Sequence, residues 1–152
     1  MGRKKTCPEE VIMNVAFDVH GTLDNDKDGM LRGIFNAFLE PQWKEVNVFV
    51  VSGPPVEQIK GELGALGIDY TNITIVSVVD YLKRKGYYMW NTPKGWFAHP
   101  DVWWASKGMI CEEYDIGMIF DDLIQYKKHM PETTKFVLWQ GYRGSEYYGK
   151  GR

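Results

Sequence analysis

Cysteine is scarce in this chain of 152 residues, where Cys7 and Cys111 are the two thiols. Two cysteines without metal-site spacing build neither a disulfide framework nor a zinc site, so a reducing compartment, the cytoplasm, is expected. An excess of charge is missing too. The formal net charge is -2 and the isoelectric point is near 5.9, which argues against a general binder of nucleic acid or anionic membrane. No apolar run is long enough to span a bilayer, and the charged opening Arg3-Lys4-Lys5 is not followed by a signal-peptide core. No membrane partner is expected. Met1-Gly2 with Thr6 fits an acylation consensus only loosely, and the basic triplet reads as a solvated leader. Internal repeats are also lacking. The length and apolar content suit one domain over residues 1–152, with a core over about 10–140 and a loose tail over about 141–152.

What is present is a set of apolar runs that end on polar groups. Val11 to Phe17 is a near-continuous apolar run stopped by Asp18 and followed by Val19-His20-Gly21-Thr22-Leu23. Such a run, rich in β-branched residues, has the composition of a strand covered on both faces. Val46–Val51 ends at Ser52-Gly53 in the same way, and Ile116–Phe120 ends at Asp121-Asp122. In an open parallel sheet the carboxyl ends of the strands share one edge, where ligands bind. Asp18, Ser52, Asp121 and Asp122 should converge there.

Between these runs the apolar spacing becomes helical. Leu31, Ile34, Phe35 and Phe38 predict a helix over about 30–40, stopped by Pro41. Pro54-Pro55 opens a second, carried by Val56, Ile59, Leu63 and Leu66 with Gly67 as terminator. Residues 73–79 read as a further strand and 79–85 as a helix. Two aromatic arms, Gly86–Trp90 and Gly95–Ala98, flank a turn at Asn91–Lys94 like a small antiparallel hairpin. Pro100 starts another helix to about Tyr114, and Phe136–Trp139 is the last strand. Within that helix Lys107 lies four residues from both Trp103 and Cys111, on the apolar face, where a solvated lysine is out of place. The alternation of strands and helices predicts an α/β three-layer sandwich, Rossmann-like, with a parallel sheet and a small β-hairpin excursion.

With these residues in place the chain resembles the haloacid dehalogenase superfamily, dominated by phosphatases and phosphotransferases with an aspartate nucleophile. Asp18-Val19-His20-Gly21-Thr22-Leu23 is similar to its first motif, Ser52 to the second, Lys107 to the third and Asp121-Asp122 to the fourth. The resemblance implies a strand order 3-2-1-4-5 and a capless or minimally capped member, a kind that takes large substrates or covers its site by forming homo-oligomers. It also implies an aspartyl-phosphate on Asp18, with Ser52 holding the phosphoryl group. Mg²⁺ would be held by Asp18, the His20 carbonyl and Asp121, and Asp122 would share the metal or position Lys107. A transferring phosphoryl group is anionic, so attack by a carboxylate needs cationic compensation of this kind.

The family's phosphatases usually carry an Asp where this chain has His20. A histidine can carry out the same two proton transfers near neutral pH. The expected activity is a Mg²⁺-dependent phosphohydrolase or phosphotransferase acting on a phosphorylated substrate, small or macromolecular. A metal-independent, dehalogenase-like hydrolase and a phosphate-binding regulatory pseudoenzyme are the alternatives. A nucleic-acid end remains among the open substrates. Lys94, also upstream of Asp121, is the alternative to Lys107, and Ser52 alone could be a helix cap before Pro54. Asp24–Gly29 imitates the start of a calcium loop, but Phe35 stands where its last acid is required, so the segment reads as a solvated acidic flap. His99 and His129 read as surface or packing residues.

Overall fold

A computed structural model describes residues 12–40 and 45–140. The expected leader, Cys7, the stop at Pro41 and the tail from 141 lie outside the described residues. The elements are β1 (Met13–Phe17), α1 (Met30–Phe38), β2 (Val46–Ser52), α2 (Val56–Ala65), β3 (Thr74–Ser77), α3 (Val78–Arg84), β4 (Met89–Thr92), β5 (Gly95–Ala98), α4 (Pro100–Glu113), β6 (Met118–Asp121) and β7 (Lys135–Leu138). A tight turn over Val19–Leu23 follows β1, and a short 3-10 helix over Ile124–His129 follows β6.

Five strands form one parallel sheet in the order β3-β2-β1-β6-β7. Leaving the hairpin strands β4 and β5 out of the count turns this into 3-2-1-4-5. The central strand β1 is matched on both sides, with Phe17 opposite Val50 of β2 and Phe120 of β6. Val15, Ala16 and Phe17 are fully buried, as a strand flanked by two neighbours and covered on both faces must be.

Alternation along the strands divides the core into two layers, because successive side chains leave opposite faces of a sheet. Val15, Phe17, Val48 and Val50 pack with Leu31, Phe35, Ile59 and Leu63 of α1 and α2. Ala16, Phe49, Val51 and Ile119 pack on the other face with Leu82, Ile110 and Cys111 of α3 and α4. Phe17 anchors the first layer, edge-on to Phe35 at 5.0 Å and stacked on Phe120 at 4.8 Å. Burying one such side chain contributes about 1.5–3 kcal/mol.

The differences from the sequence reading have local causes. The strand expected over 73–79 stops at Ser77, whose Oγ accepts the Asp80 N–H at 3.0 Å and starts α3. Val78 and Val79 are buried in that helix; their β-branching suggested strand, and the cap decided otherwise. The segment read as an acidic flap has a structural task. Asp26 accepts the Leu31 and Arg32 N–H groups at 3.0 and 2.6 Å, closing the open end of α1 from outside the usual capping position. The first hairpin arm begins at Met89, because Gly86, at φ +89°, ends α3 and turns the chain.

Gly108 in α4 sets how closely that helix approaches the 3-10 helix, since a Cβ there would overlap the His129 carbonyl oxygen. Gly64 in α2 faces open space. Alanine normally stabilises a helix over glycine by about 1 kcal/mol. Urea denaturation should therefore show Gly64→Ala more stable than wild type and Gly108→Ala less stable by about 1–3 kcal/mol. Stabilisation by both would remove the close approach at Gly108.

Candidate functional site

The carboxyl ends of β1, β2 and β6 bring the expected residues to one edge. Asp18 follows β1, Ser52 ends β2 and Asp121 ends β6. Lys107 reaches them from the middle of α4. All four are buried, with Ser52 and Asp121 fully inaccessible. The Lys107 Nζ lies 2.5 Å from Asp121 Oδ2 and 3.1 Å from Asp18 Oδ1, and it sits 4.6 Å from the centre of the Tyr126 ring. A buried lysine needs such partners. Asp121 is fixed further by the Leu123 N–H, donated to its Oδ1 at 3.0 Å.

The turn after β1 lets Asp122 approach. Gly21 has φ +78°, and a Cβ at that position would overlap the Asp122 carboxylate; only glycine satisfies both conditions. Oxygens of Asp18, Asp121 and Asp122 lie within 4.8 Å of one another. Three carboxylates thus face one ammonium. Burial raises the Asp18 pKa to about 7; Lys107 opposes the shift, and Asp121 and Asp122 reinforce it. Burial and Asp121 also raise Asp122. Burial acts against the Lys107 charge, but Asp121 and Asp18 outweigh it and hold that pKa well above the usual lysine value.

Asp18, Ser52 and Lys107 border a cleft of about 370 Å³ with His20, Gly53, Trp103, Asp122 and Tyr126 among its other walls. Ser52 Oγ is buried with no hydrogen-bond partner, and so is Asp122 Oδ1. Ser52 is no helix cap: α2 begins at Val56, whose N–H is taken by Asp80 Oδ2 at 3.0 Å. Chain comparisons add nothing to this geometry. Searches against protein-family models, curated proteins and solved structures find no match.

His20 stands apart from the acids. Its side chain is 59% exposed, its Nε2 is 3.0 Å from Glu62 Oε2, and its Nδ1 is 3.9 Å from Asp24. The expectation of His20 at a metal concerned its backbone carbonyl, and the imidazole lies outside the carboxylate cluster. Lys94 is exposed in the hairpin turn and borders an adjoining cleft, not the one around Asp18. Sequence reasoning missed Tyr126 and Glu62. Tyr126 belongs to a six-residue 3-10 helix with no apolar period to reveal it, and Glu62 reaches His20 across forty-two positions of sequence. No helix among the described residues is long and apolar enough to cross a membrane.

Because its folded pKa exceeds the unfolded 3.8, ionised Asp18 destabilises the fold. The cost begins above pH 4, grows until about pH 7 and is level beyond, at a few kcal/mol. In the presence of a chelator, Asp18→Asn should melt higher than wild type, with a margin that widens from pH 5 to 7 and stays constant to pH 8. A margin that narrows over that range would contradict the assignment. Lys107→Met, which leaves buried acids uncompensated, should lose about 3–5 kcal/mol at neutral pH.

Proposed function

We propose that this protein is a Mg²⁺-dependent phosphohydrolase of the haloacid dehalogenase type, working through an aspartyl-phosphate on Asp18. The observation that carries this reading is the cleft itself. A buried carboxylate, its paired lysine and an unpartnered serine hydroxyl border one opening. A tetrahedral, multiply charged oxyanion meets the needs of all three, since it presents an electrophilic phosphorus to the acid and acceptor oxygens to the two donors.

The residues also fit a metal ion. Three carboxylates set against one lysine leave surplus negative charge, and Asp122 Oδ1 is a buried acceptor without a donor. Hard oxygen donors of this kind suit Mg²⁺. Asp18, Asp121 and Asp122 would hold it, with the His20 carbonyl. When bound, it supplies positive charge that favours the ionised form of Asp18 and offsets the phosphoryl oxygens.

In the chemical step an Asp18 oxygen attacks phosphorus, an acyl-phosphate bond forms and the ester P–O bond breaks. The electron pair leaves on the ester oxygen, which takes a proton from His20. Water then attacks the same phosphorus and gives its proton to the neutral imidazole, the phosphorus–Asp18 bond breaks, and inorganic phosphate departs from a restored carboxylate. Lys107 and Ser52 hold the phosphoryl oxygens throughout, and Glu62 orients the His20 ring through its 3.0 Å contact.

One observation favours a second reading, a phosphate-binding protein with little turnover: the His20 imidazole is exposed and engaged by Glu62 instead of by the acids. The two readings separate in solution. With Mg²⁺ and a panel of phosphomonoesters, Asp18→Asn should lose more than about a thousandfold in kcat, and retained turnover would reject the nucleophile. Mg²⁺ should raise the melting temperature of wild type and do so far less in Asp121→Ala; equal shifts would remove Asp121 from the metal site. His20→Ala should slow alkyl phosphates much more than activated aryl phosphates, which leave without protonation. If His20→Asp alone converts an inert protein into an active one, the phosphate-binding reading is the better one.

A further inference from the structure

The Asp18 cleft does not end at the phosphoryl site. His20, Gly53, Pro54 and Trp103 also border an adjoining cleft of about 260 Å³, which Gln58, Lys94 and Trp96 line as well. Trp96 and Trp103 continue into a third hollow of about 300 Å³ with Phe97 and Trp104. Shared walls set the three clefts in series, a trough with buried acids at one end and tryptophans at the other.

The hairpin alternation explains this end. Directly opposed residues of an antiparallel pair share a face, so Met89 and Ala98 lie on the face with Asn91 and Trp96. Ala98 is buried and Met89 packs on the second core layer, which turns that face, and Trp96 with it, toward the body of the protein. The Trp96 ring carries the Lys83 Nζ at 4.0 Å from its centre, a cation–π contact that steadies the indole. Trp103 lies where a Cβ on Gly53 would touch its ring at 3.3 Å, so the aromatic wall starts one residue from the Ser52 hydroxyl. Between the two ends stand polar groups, Gln58, His20 and Lys94.

We propose that the trough is a nucleotide site: the phosphate of a phosphorylated nucleoside lies at Asp18, its sugar passes Gln58 and His20, and its base stacks at Trp96 and Trp103. This rests on the phosphoryl-site reading given above and names its substrate class. Planar aromatic walls next to a phosphate site suit a base, because every base has a face to stack and the contact tolerates sequence. A sugar phosphate without a base would leave the tryptophan end of the trough empty. The phosphorylated nucleoside is either a free mononucleotide or the end of a single strand. On the opposite hairpin face Tyr88 and Trp90 are exposed with ring centres 5.6 Å apart, a surface on which following bases of a strand would stack.

The test compares adenosine 5′-monophosphate with ribose 5-phosphate, which lacks the base. Wild type should favour the nucleotide in kcat/KM by roughly tenfold to a hundredfold. Trp96→Leu should collapse that ratio, and Trp96→Phe, which keeps a ring, should largely restore it. A wild-type ratio near one, or a ratio unmoved by Trp96→Leu, overturns the proposal. Binding gives a second readout independent of turnover. Adenosine 5′-monophosphate should quench tryptophan fluorescence in wild type and much less in Trp96→Leu, and ribose 5-phosphate should quench neither. Quenching of this kind without hydrolysis of any phosphomonoester would defeat the phosphatase reading and leave the nucleotide site standing. Absence of quenching beside hydrolysis of both substrates at equal rates would do the reverse. A short 5′-phosphorylated oligoadenylate identifies the source. A further gain over the mononucleotide, lost in Tyr88→Ala and Trp90→Ala, assigns a strand end, and equal rates assign the free nucleotide.

Discussion

The buried ammonium of Lys107 is the interaction around which the rest of this protein is organised. It joins α4 to the ends of β1 and β6 through Asp18 and Asp121. A charge taken this far from water is tolerated only with partners at hydrogen-bond distance, and two carboxylates supply them. A third acid, Asp122, is admitted where Gly21 leaves room. The result is a pocket with more negative than positive charge, in which Lys107 keeps its proton and Asp18 is left under-compensated. Such a cluster is poorly matched to itself and well matched to a cation and an anion bound together.

The sheet makes this arrangement rigid. Parallel pairing in register places Phe17 beside both Val50 and Phe120, so the residues that follow emerge side by side. Two apolar layers clamp the strands from either face. The clustered acids, serine and lysine are thus held by core strands and a long helix, and the clefts above them are bordered by turns and the hairpin.

Much of this was legible in the residues. The apolar runs ending at Asp18, Ser52 and Asp121 are strands because burial on both faces leaves a continuous apolar signature. Lys107 declared itself by standing on an apolar helical face. What the sequence hid was local or distant. Ser77 as a cap turned two valines from strand to helix, and Asp26 capped α1 from a segment whose acids suggested solvent. Tyr126 under the ammonium and Glu62 beside His20 are contacts across separate elements, which no periodicity encodes. The orphaned Ser52 hydroxyl is likewise a property of three dimensions.

The proposed account turns on whether phosphate is carried on Asp18. The direct measurement is to quench the protein in turnover with a phosphomonoester and Mg²⁺, reduce the acyl phosphate with borohydride and map the modified residue by mass spectrometry. The account predicts reduction at Asp18, dependent on both substrate and Mg²⁺. Turnover that leaves Asp18 unmodified and places the label on another residue would contradict it.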